Sequence, residues 1–125
     1  MIRQELIEKV KSRKKEVKIT IEDLAEVSEL GTKTLSRFFA GHDVKLSTIE
    51  KLTQTLGLDL AGNEIVDIET LKERRAELKA LQIVSLVQDT SSLEEQGLEQ
   101  ENIKDLLKET KELFLTGKYK INLWK

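Results

Sequence analysis

Cysteine and proline are absent from this chain of 125 residues, and histidine occurs once. Without a thiol there can be no disulfide, no thiol nucleophile and no cysteine-built zinc site. The lone His42 excludes a histidine-rich metal centre. Only Trp124 and Tyr119 join three phenylalanines, so the alternating aromatic pattern of half-buried strands is missing. Apolar runs are short. Nothing reads as a signal peptide or membrane span, and a cytoplasmic, nucleoid-associated protein is expected. The acidic run Glu94, Glu95, Glu99, Glu101 has no nucleophile, base or glycine-rich phosphate loop beside it, so it reads as solvated surface. Neither an enzyme nor a cofactor or metal is expected.

Leucine, glutamate and lysine dominate instead, and apolar residues mostly recur every three or four positions. That period predicts an all-α chain. A first helix is expected over residues 2–14, with Ile2, Leu6 and Val10 along one side. A second starts at Thr20, whose hydroxyl can cap it with Asp23 returning the bond. A third runs over residues 32–40 and stops at Gly41. Ser47 followed by Glu50 announces a fourth, ending at Gly57. Residues 59–66 read as a loop around Gly62 and Asn63. A long helix over 68–88 follows, apolar on nearly every side from Ala80 to Val87 and therefore expected to be covered on every side. Residues 89–96 read as a loop. Ile103, Leu106, Leu107, Leu113 and Phe114 mark a last helix closed by Gly117. The alternating tail, residues 119–124, reads as extended, with Tyr119, Ile121 and Leu123 on one side.

The most informative stretch is residues 20–58. Leu24 and Ala25 share one face of the second helix, and the small alanine lets the third helix come close. Leu30 sits in the turn, and Leu35 and Phe38 share the inward face of the third helix. Lys33, Ser36 and Arg37 point out together. This pattern resembles the Cro/cI-type (lambda-repressor-like) helix-turn-helix family. Ile19, Thr20, Leu24 and Ala25 match its first block, and Thr34, Leu35, Ser36, Arg37 and Gly41 its second. Ser47, Ile49, Leu52, Leu56 and Gly57 match the helix that closes the core. The resemblance implies a lambda-repressor-like bundle over residues 1–63, followed by a helical dimerisation or partner-binding extension over 64–125. Three positions depart from the family. Glu29 stands where glycine is usual in the turn, leaving Gly31 to take the left-handed conformation. Ile21 and Glu22 replace the region of a phosphate-gripping glutamine. Phe39 replaces a polar residue, either as a local core residue or as a docking point.

On this reading Lys33 and Arg37 contact bases or phosphates from the major groove, arginine to guanine being the commonest specific pairing. The bland alternative is an ordinary exposed helix face. Thr32 and Ser36 are weaker candidates, and Thr34 either contacts DNA or caps and packs locally. His42, Lys45 and Ser47 can meet phosphate in the loop and first turn beyond. The formal charge is +1 over residues 1–60 and −3 over 61–125, so positive charge is concentrated in one cluster at residues 9–18. Lys15 and Lys18 are its DNA-facing candidates, with Thr20 just beyond it; the same lysines also suit the solvated side of a helix. Leu78, Leu81, Val84 and Val87 are the candidate dimerisation residues. The expected function is a sequence-specific, double-stranded DNA-binding transcriptional regulator of bacterial or phage type, a repressor acting as a homodimer. The alternative is an antitoxin or other interaction module whose C-terminal half wraps a protein such as a toxin.

Overall fold

The computed structural model describes the backbone of residues 2–93 and 100–125 and the side chains of 3–86 and 102–125. Six α-helices follow in order: α1 (Ile2–Val17), α2 (Ile21–Ser28), α3 (Thr32–Phe39), α4 (Leu46–Thr55), α5 (Ile68–Leu93) and α6 (Gln100–Leu115). A short 3-10 turn, Lys120–Asn122, comes last. The only extended pairing among the described residues is a single antiparallel bridge between Leu58 and Glu64. The chain forms two compact units, Met1–Leu71 with Trp124–Lys125, and Lys72–Leu123.

In the first unit the apolar positions of four helices converge. Val10 and Val17 of α1, Leu24 of α2, Leu35 of α3, Leu52 of α4 and Leu56 at its C-cap are all buried. Helix α2 packs on α3 and α4, and α1 packs on α3. Thr20 caps α2 as its sequence predicts, its hydroxyl accepting the Asp23 amide at 3.1 Å. Ser47 does not cap α4. Its N-cap lies two residues earlier, at Lys45, with no side-chain cap bond, which leaves Ser47 in the first turn.

The turn after α2 differs from expectation. Glu29 itself takes the left-handed conformation (φ 59°), whereas Gly31 is extended (φ −76°, ψ 148°) as the N-cap of α3. The position directly after the helix must turn left-handed so that two orphan carbonyls are satisfied. Glu29 N donates to Glu26 O at 3.2 Å, and Leu30 N donates to Ala25 O at 2.8 Å. A residue with a Cβ pays for that geometry. Glu29→Gly is therefore expected to stabilise the protein by roughly 0.5–1 kcal/mol, read as a raised midpoint in thermal or urea unfolding. A lowered midpoint would contradict the strain.

Loop residues 58–66 dock on α1. The Asp59 carboxylate accepts the Ala61 and Asn63 amides, each at 2.9 Å. These bonds, Asn63 foremost, hold its pKa below the ordinary 3.8. Gly62 has φ +85° and lies so close to α1 that a Cβ there would sit 2.9 Å from the Lys9 Cβ. Lys9 reaches Asn63 Oδ1 at 3.0 Å. Arg13, only 4% exposed, donates Nε to the Leu56 carbonyl at 2.8 Å, Nη1 to Glu64 and Nη2 to the Val66 carbonyl.

In the second unit α5 is longer than its sequence suggests. Residues 89–93, expected as a loop, continue the helix. Glu94, Glu95 and Glu99 of the acidic run lie outside the described residues, as do the side chains of Glu101 and Val87. The segment from Ala80 onward is two-faced instead of covered all round. Ala76, Ala80 and Val84 are buried, while Leu78, Leu81 and Leu86 are 45%, 49% and 68% exposed. The tail is not extended either. No strand is available to pair with it among the described residues, and it closes in tight turns, Asn122 N donating to Tyr119 O at 2.9 Å. Arg75 Nε donates to the Leu123 carbonyl at 3.0 Å, and the Tyr119 ring packs on Phe114 with centroids 5.4 Å apart. Leu123 is thereby buried, while Ile121 is left 80% exposed, so the two no longer share a side.

Candidate nucleic-acid interface

Helix α3 is amphipathic with a sharp division. Leu35 and Phe38 are buried against the neighbouring helices, and Thr34 and Phe39 flank them half-buried. Thr32, Lys33, Ser36 and Arg37 are exposed. At 100° per residue these four occupy one continuous arc opposite the apolar seam. The exposed Ala40, four residues after Ser36, extends the same arc. Ala40 closes the third helix expected from the sequence without being named as a candidate. Its methyl suits contact with the methyl group of thymine, and its spacing from Ser36 was the available signal.

The charge on this face is uncompensated. Among the described residues neither Lys33 nor Arg37 pairs with a carboxylate, and α3 carries no acidic side chain. No side chain caps the α3 N-terminus, so its first amides are open to an anionic partner. The Phe39 ring meets Phe38 edge-on, with centroids 5.3 Å apart, which fixes the end of the helix.

The flanking candidates are held by the ends of other helices. His42, Lys45 and Ser47 are exposed along the connection from α3 into α4, and the His42 amide donates to the Arg37 carbonyl at 3.0 Å. Asp43 lies between them. Its carboxylate is paired with Arg3 at 2.5 Å, which masks a negative charge that would repel phosphate there. Forty residues separate the partners, and no local pattern announces the pair. Lys15 and Lys18 are exposed at the end of α1, Lys18 with φ 61° in the left-handed turn that leads to Thr20. Thr20 is exposed, but its oxygen already accepts the Asp23 amide.

Two members of the basic cluster at residues 9–18 are engaged elsewhere. Arg13 is a buried clamp, and Lys9 is tied to Asn63. The cluster is accordingly less basic at the surface than its composition suggests. Of the dimerisation candidates, Leu78 and Leu81 are exposed, Val84 is 3% exposed, and the side chain of Val87 is not among those described. Among the described residues no group of histidine, aspartate and glutamate could hold a metal ion. No described helix is long and apolar enough to cross a membrane.

The helices around α3 are the segment that finds a match among known families. A helix-turn-helix family model matches residues 10–63, running from α1 through the docked loop. No curated protein and no solved structure matches the chain.

Proposed function

We propose that this protein, whose N-terminal half is a helix-turn-helix domain of the Cro/cI-like family, is a sequence-specific regulator of transcription that binds double-stranded DNA as a homodimer. The observation that carries the reading is the outer face of α3. An uncapped helix start, two cations without a carboxylate partner and three small polar or apolar side chains lie on one arc that is exposed among the described residues. A helix of this size and charge fits the major groove, where Arg37 can take guanine O6 and N7, and Lys33 a base or phosphate. Lys15, Lys18, His42, Lys45 and the first turn of α4 would then follow the backbone on either side.

The exposed leucines of α5 support the pairing of two chains. One recognition helix makes few contacts, and two-fold pairing doubles them across half-sites about 34 Å apart. A bacterial or phage setting, and a cytoplasmic location with access to the nucleoid, belong to the same proposal.

Arg37→Ala tests it. The substitution removes an exposed side chain with no partner among the described residues, so folding is expected to be unchanged. Specific binding is expected to weaken by roughly 1–3 kcal/mol, with preference relaxed at one base position, in a titration against operator and scrambled duplexes. Equal affinity and equal specificity would remove Arg37 as a base reader.

A further inference from the structure

A second surface of the N-terminal unit is built differently from the α3 face. Between α1 and the ends of α2 and α3 lies a groove of ≈ 430 Å³. Ile21 and Phe39, both half-buried, form its apolar floor, and Lys11, Lys14 and Lys15 stand around it. The three lysines fall on one side of α1 by their spacing. None of them has an ion-pair partner among the described residues. The one carboxylate in the lining, Glu8, accepts a hydrogen bond from Gln4 at 3.2 Å, which leaves a local excess of two positive charges.

Each half of this chemistry excludes an occupant. A bare phosphate would satisfy the lysines but would gain nothing from Ile21 and Phe39. An ordinary apolar helix would cover the floor but would leave three ammonium groups partly desolvated without a counter-charge. The groove is open to solvent, whereas small-molecule sites bury most of their ligand. The Phe39 ring in the floor meets the buried Phe38 edge-on.

We infer that this groove docks an acidic segment of a partner protein that presents a bulky apolar side chain between carboxylates. The apolar anchor seats on Ile21 and Phe39, and its flanking carboxylates meet Lys11 and Lys14, which leaves Lys15 to the DNA backbone. The contact is independent of base reading by Arg37, which lies on the exposed arc of α3. It would let the regulator recruit a protein as well as bind DNA.

The test is a nuclear magnetic resonance titration of the full chain with a synthetic peptide in which glutamates alternate with leucine and phenylalanine. The expected result is a set of shifts centred on the Ile21 methyls and the Phe39 ring. Binding is expected to weaken roughly tenfold in the double variant Lys11→Glu/Lys14→Glu, and similarly when glutamine replaces every glutamate of the peptide. Lys11 is exposed and Lys14 half-buried, and neither has an ion-pair partner among the described residues, so the fold is expected to be retained, which an unchanged dispersion of the spectrum checks. Equal binding by oligo-glutamate, without apolar side chains, would reduce the site to unspecific charge and overturn the inference. So would shifts that map away from Ile21 and Phe39. A short DNA duplex that produces the same shifts in place of the peptide would assign the groove to nucleic acid instead.

Discussion

Replacing Arg13 by alanine is expected to cost about 3 kcal/mol of folding stability. The guanidinium holds the end of α4 and the 58–66 loop against α1 through two backbone carbonyls and Glu64. Its loss orphans the Leu56 and Val66 carbonyls, and each buried group left unpaired costs roughly 1–3 kcal/mol. Glu64 is 54% exposed and can return to water, so it adds little. Arg13→Lys is expected to recover only a minor part, because an ammonium cannot fork to three acceptors. Urea unfolding of both variants gives the numbers. A loss under 1 kcal/mol for Arg13→Ala would show that the loop docks without its clamp. The same bonds place Glu64 and Val66 in the N-terminal unit.

Charge placed on the exposed leucine face of α5 is expected to separate two chains. Leu78 lies opposite the buried Ala76, Ala80 and Val84 and Leu81 beside them, both exposed, so Leu78→Glu and Leu81→Glu remove no buried side chain. Apolar surface left in water forgoes roughly 25 cal/mol for each Å², which favours covering these leucines with a second copy of the same face. The double variant is expected to be a monomer by light scattering at micromolar concentration and to lose roughly 100-fold or more in operator affinity, since the second half-site is no longer tethered. A wild-type protein that is itself monomeric at that concentration would remove the homodimer. The leucines would then remain as the contact for a different protein.

The N-terminal fold was legible because its signals are local. Thr20, Leu24, Ala25, Leu35, Phe38 and Gly41 each state a cap, a face or a stop within a few residues of chain, and each has the role its spacing implies. Arg13 was hidden by its neighbours. Among Lys11, Lys14 and Lys15 it reads as one more surface cation. Yet Leu6, Val10, Arg13 and Val17 are spaced four, three and four apart, which puts the arginine on the buried side of α1. Glu29 misled for another reason: composition favours Gly31 for the left-handed position, but the hydrogen bonds that end α2 fix which residue must take it. In the C-terminal half the decisive facts are non-local. Alternation over six tail residues says nothing without a strand to pair with, and the apolar run of α5 conceals a small buried face behind an exposed leucine face. At the interface, the exposed arc of α3 was legible by periodicity, whereas the Arg3–Asp43 pair spans too much sequence to be seen.

Selection of duplexes from a random pool by the full-length protein tests the central claim most directly, because it presupposes no operator. The account predicts enrichment of a two-fold symmetric site, with half-sites centred about one helical turn, ~34 Å, apart. A pool that remains random after repeated rounds, with binding that depends on salt alone, would contradict it.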